Sequence, residues 1–144
     1  MRIWGTLLLI GIFCGSAFSQ KESVAQLVDR AKTAPVDRQP EIYIRAAEQQ
    51  LKIVIQLYNE GKADDARAGL NDVIAYADYA TDTAIKSRKH VKNIEIELRK
   101  MAEKLRDLKR TLNFEDQPPV QTAMDHLENL RTNLLALMFG KEKR

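Results

Sequence analysis

Cysteine is all but missing from this sequence: Cys14 is the only one among 144 residues. A disulfide framework is therefore excluded, and so is a haem attached through Cys-x-x-Cys-His. Histidine is scarce too, with only His90 and His126. Neither has a second His or Cys one helical turn away, so a zinc site lacks its ligands and both residues read as ordinary surface or edge positions. No glycine-rich loop offers a phosphate cradle, and no nucleophile stands beside a base. The sequence predicts no enzyme: no catalytic residue, no cofactor and no metal. Aromatic residues make up only 6%, and none lies on the basic stripe described below, which removes the stacking platform of a nucleic-acid binder. The longest apolar stretch, Ile3 to Phe13, falls short of the roughly 20 residues that a membrane-spanning helix needs.

What is present begins with an export signal. Met1 and Arg2 precede that apolar stretch, and the chain then turns small and polar at Gly15-Ser16-Ala17-Phe18-Ser19-Gln20. This is the order of a secretory signal peptide. Ala17 and Ser19 supply the small side chains a signal peptidase accepts, which predicts a cut after Ser19. Phe13, directly before Cys14, is too large for a lipoprotein signal. The mature chain, residues 20–144, is then expected to be a periplasmic or secreted single domain without a transmembrane anchor. Its 22 basic and 20 acidic side chains leave too little net charge to imply nucleic acid.

After the signal, proline and glycine occur only at Pro35, Pro40, Gly61, Gly69, Pro118, Pro119 and Gly140. They punctuate an all-α domain with helices over about 22–32, 40–60, 64–112 and 118–139. The third helix is the expected spine. Its apolar residues recur at alternating steps of three and four: Leu70, Val73, Ala77, Ala80, Ala84, Ser87, Val91, Ile94, Leu98, Met101, Leu105, Leu108 and Leu112. That seam suits coiled-coil-like packing, and an unbroken helix of this length would span roughly 70 Å. The small half of the seam predicts close approach of the second helix, through Ala47, Leu51, Val54, Ile55 and Tyr58. The large half predicts the last helix, through Val120, Met124, Leu127, Leu130, Leu134 and Leu137. The result is a pair of helical hairpins sharing one long central helix. A bend near Lys86 to His90 would close the same contacts into a four-helix-bundle-like domain.

The run Leu57-Tyr58-x-x-Gly61-x-x-x-x-Ala66-x-x-x-Leu70-x-x-Val73 resembles one tetratricopeptide repeat, over about Gln49 to Asp82. No second copy follows, and the family's closing proline is missing. The resemblance therefore implies a structural hairpin rather than a stacked peptide-binding array. The stretch Ile94 to Pro118, with Arg99-Lys100-Met101, Leu108-Lys109-Arg110 and Phe114-Glu115-Asp116-Gln117-Pro118, is similar to small exported all-helical bacterial proteins, which implies a fold and no activity.

Charge is uneven. From Lys86 to Arg110 there are ten Lys or Arg against four acids. Lys92, Arg99 and Arg106 recur every seven residues and so form a stripe, with Lys86 and Lys100 beside it. These five are the candidate residues for binding an anion or an acidic partner. Glu95 with Arg99 and Glu103 with Arg106 stand at helical spacing and are expected to balance part of the stripe. The carboxylate pairs Asp64-Asp65 and Glu115-Asp116 lie where helix starts favour acids. Ile74, Ile85 and Ile96 recur every eleven residues off the seam, the pattern of a second contact ridge. The sequence thus predicts an exported, non-enzymatic helical interaction protein, a scaffold, adaptor or small chaperone. It is expected to meet an unknown protein partner and to self-associate as a homodimer, because two short helices leave parts of so long a seam uncovered. The alternative is an anion-binding or envelope-surface-binding protein that uses the basic stripe.

Overall fold

The computed structural model describes residues 22–140. The expected signal peptide over residues 1–19, and Cys14 within it, lie outside the described residues. The described chain is all-α: α1 (Val24–Thr33), α2 (Gln39–Asn59), α3 (Ala63–Ser87), α4 (Val91–Thr111) and α5 (Gln117–Phe139), with a short 3-10 turn at Phe114–Asp116. No described helix is long and apolar enough to cross a membrane.

Each boundary has a local cause. Ser23 caps α1 reciprocally: its hydroxyl accepts the Gln26 N–H, and its own N–H donates to the Gln26 side chain. Pro40 sits in the first turn of α2, where no backbone N–H is needed. Gly61, at φ +76, ends α2 in the left-handed region. There its N–H donates to Tyr58 O and the Lys62 N–H donates to Leu57 O, which satisfies two terminal carbonyls. Asp64 and Asp65 occupy the first turn of α3, as expected from the dipole.

The central helix expected over 64–112 is not continuous: it breaks where the sequence allowed a bend, near Lys86 to His90. It is two helices. α3 stops at Ser87, and Arg88 and His90 both take left-handed backbone, at φ 54 and 62. No glycine or proline marks the place. Ser87 and Thr83 provide the stop: the Ser87 hydroxyl donates to Thr83 O at 2.7 Å and accepts the Lys89 N–H at 3.2 Å. A side-chain oxygen that serves the backbone in this way competes with the helical ladder. The seam keeps phase across the break because both halves face one core. Leu70, Val73, Ala77, Ala80 and Ala84 are buried on α3, and Ile94, Leu98, Met101, Leu105 and Leu108 on α4.

Two antiparallel hairpins result. In the first, Tyr43 stacks on Tyr79 at 5.2 Å between ring centres, and Val54 lies against Gly69. In the second, Lys109 bonds Gln121 and Glu95 bonds Arg131. The hairpins stand side by side in the same orientation. Glu41 meets His90 near the starts of α2 and α4, Glu48 meets Glu97 midway, and Ile55 and Asn59 share a cleft with Lys104 and Leu108 towards their ends. α1 lies along the outer side of α2, anchored by Leu27, which is fully buried; such a leucine contributes about 2 kcal/mol.

Burial on α3 and α5 follows the same three- and four-residue steps, as on any helix with one buried stripe. The buried set Ala66, Gly69, Leu70, Val73 and Ala80 of α3 returns at the same spacing as Val120, Ala123, Met124, Leu127 and Leu134 of α5. What repeats is burial, not identity. Of the off-seam isoleucines, Ile74 and Ile85 lie on α3 and Ile96 on α4, so their eleven-residue spacing does not run along one helix.

Candidate functional site

The two hairpins meet along two lines. α3 and α5 pack closely, whereas α2 and α4 touch less extensively and leave a furrow between them. Its lower part is a cleft of about 190 Å³ lined by Glu41, Ile44, Arg45, Glu48, Asn93 and Glu97. Its upper part, about 320 Å³, is lined by Ile55, Asn59, Lys104, Asp107, Leu108 and Thr111. The furrow is thus charged in the middle and more apolar towards one end.

At mid-furrow two carboxyl groups share a hydrogen bond. Burial pushes Glu48 up to about 7, and the Glu97 carboxyl that bonds it adds to the shift, against the pull of Lys104 and Lys100. The bond from Glu48 holds Glu97 below the usual carboxylate range. Two carboxylates this close cannot both ionise cheaply, which favours a protonated Glu48 beside an ionised Glu97.

Both histidines of the chain also join the hairpins. His90 Nδ1 lies 3.0 Å from Glu41, at the foot of the furrow, and His126 Nε2 lies 2.6 Å from Asp78, between α5 and α3. They are not idle edge residues. No local spacing announces these pairs, because each partner arrives from a helix distant in sequence. Within the second hairpin, Arg131 clamps Glu95 with Nε and Nη2 at 3.0 and 2.8 Å and reaches Glu128 with Nη1. Glu95 is only 7% exposed, so this is a buried ion pair, and the expected partnership of Glu95 with Arg99 is wrong: Glu95 faces inward and Arg99 outward. Glu103 and Arg106 make no ion pair among the described residues.

The break separates Lys86 from the other predicted basic residues. Lys86 ends α3, while Lys92, Arg99, Lys100 and Arg106 belong to α4. All five are exposed, and Lys100 is held by Glu97 at 3.2 Å. Lys92, Arg99 and Arg106 recur along α4 about 10 Å apart on its axis, too far to converge on one small anion, and Arg106 lines a separate hollow with Lys109 and Arg110.

Arginine gathers elsewhere. Arg30 at the end of α1, Arg38 at the start of α2 and Arg45 two turns later line a cleft of about 100 Å³ with Glu41 and Ile42. A larger hollow of about 360 Å³ lies beside it between α1 and α2, lined by Glu22, Leu27, Arg45, Glu48, Gln49 and Lys52. Among the described residues no three His, Cys, Asp or Glu side chains gather to hold a metal ion. Comparison with known proteins gives no match, whether to a protein-family model, a curated sequence or a solved structure.

Proposed function

We propose that this chain is an exported, non-enzymatic helical interaction protein that works by surface contact, with the furrow between α2 and α4 as its contact face. The observation that carries this reading is the inequality of the two hairpin seams, closed between α3 and α5 and open between α2 and α4. An open furrow with a charged middle and an apolar end is what a partner's helix or extended segment uses for affinity and register. Export rests on the signal-like order of residues 1–19.

The seam gives no ground for a dimer, because its large residues on α3 and α4 are covered from within the chain. The test is site-dependent retention. Glu97→Lys and Lys104→Glu, which reverse charge on residues lining the furrow, are expected to abolish retention of a discrete partner from a cell-envelope fraction. Asn71→Glu, on the exposed face of α3, is expected to leave it intact. Retention indifferent to the furrow variants would refute the assignment of this face.

A further inference from the structure

Three arginines line one cleft where α1 hands over to α2. Arg30 comes from the last turn of α1, Arg38 occupies the N-cap position of α2 and Arg45 follows two turns on. Like charges on a surface ordinarily stand apart, because convergence raises the local potential. A cleft that gathers them is suited to an anion.

The counter-charge present does not satisfy this corner. Glu22 pairs with Arg30 at 2.9 Å, and Glu41 is engaged by His90 at 3.0 Å. Arg38 and Arg45 have no carboxylate within ion-pair distance among the described residues.

We propose that this corner is a binding site for a phosphoryl group, held between Arg38 and Arg45 with Arg30 as the third contact. Arginine presents a planar fork of donors that matches phosphate oxygens bidentately, which the point charge of lysine does not. The start of α2 adds its positive end to the same corner, and Arg38 leaves that end without a side-chain cap. The cleft, at about 100 Å³, has room for a phosphoryl group and not for the body of a large ligand. The group belongs either to a free phosphate or to the headgroup of an anionic lipid.

The experiment uses the purified chain and follows the Nε–H resonances of arginine during titration with inorganic pyrophosphate at low salt. Saturable shifts are expected at Arg30, Arg38 and Arg45. Arg38→Gln and Arg45→Gln are each expected to weaken binding about tenfold, with helix content unchanged because both side chains are exposed. Arg99→Gln on α4 is the control and is expected to change nothing. Sedimentation with phosphatidylglycerol vesicles separates the sources: binding that pyrophosphate displaces identifies the lipid headgroup, and pyrophosphate binding without sedimentation identifies free phosphate. Absence of saturable shifts at these three arginines, or equal weakening by Arg99→Gln, overturns the proposal. Arg45 and Glu41 also line the lower furrow, so Arg38→Gln separates this site from the furrow: Arg38 lines the arginine cleft alone, and its loss is expected to weaken pyrophosphate binding while leaving furrow-dependent partner retention intact.

Discussion

Single residues set how closely the helices approach. Gly69 in α3 faces Val54, and a Cβ built there would lie 2.7 Å from the Val54 Cγ2 and 3.1 Å from the Gln50 Nε2. Alanine gains about 0.5–1 kcal/mol of helix propensity, but overpacking against a fully buried valine costs about 1–3 kcal/mol. Gly69→Ala is therefore expected to lower stability in urea by about 1 kcal/mol, and Val54→Ala in the same chain is expected to offset part of its own cavity penalty by making room for the new methyl. The Glu95–Arg131 pair makes a different demand. Arg131→Ala leaves a carboxylate that is 7% exposed without its partner, a loss expected at about 3 kcal/mol; a fall under half of that in urea unfolding at neutral pH would mean that Glu95 finds water instead. The sequence places Glu95 one turn before Arg99, and nothing local reveals that Arg131 takes it.

At the scale of elements, the decisive feature is the turn from Arg88 to His90. Both end residues of that turn adopt left-handed backbone without being glycine, at a cost of about 1 kcal/mol each. Arg88→Gly is thus expected to raise the thermal midpoint, by about 1 kcal/mol in stability. In an unbroken helix the same substitution would lower stability by about 1 kcal/mol, so the sign of one measured change separates the two architectures. The sequence predicts the helical faces well: every seam residue on α3 and α4 is buried or half-buried. It leaves open whether the spine runs straight or bends near Lys86 to His90, because the three- and four-residue steps continue through Ser87 and Val91, and a seam kept in phase looks the same whether its two halves are collinear or folded together.

For the whole molecule, the open side of the bundle is held by groups that titrate. Glu48, pushed up to about 7 from 4.5, binds its proton more tightly folded than unfolded. Its contribution is full below about pH 4.5 and is lost as pH rises through about 7. Glu97 is shifted down, so its own contribution is lost only as pH falls through its lowered value, on the acid side of that window. Wild-type thermal stability is expected to decline between pH 5 and pH 8, a window that follows from the Glu48 shift. Glu48→Gln is expected to be the more stable form at pH 8 by about 1 kcal/mol, allowing for solvent at this partly exposed site, and to match wild type near pH 5. Parallel profiles for the two proteins would show that Glu48 does not hold a proton beside Glu97.

The sequence by itself determined the all-α class, the inward faces of the helices, the Gly61 turn and the want of metal-binding and nucleophilic motifs. These follow from spacing and from residues a few positions apart, where helical geometry alone says what is neighbour to what. Only the tertiary structure decided that the spine is two helices, that one furrow stays open, and that Glu48 meets Glu97, His126 meets Asp78 and three arginines share a corner. Those contacts join helices far apart in the chain, and their existence depends on how the hairpins stand against each other, a choice made by packing of the whole core rather than by any local run of residues.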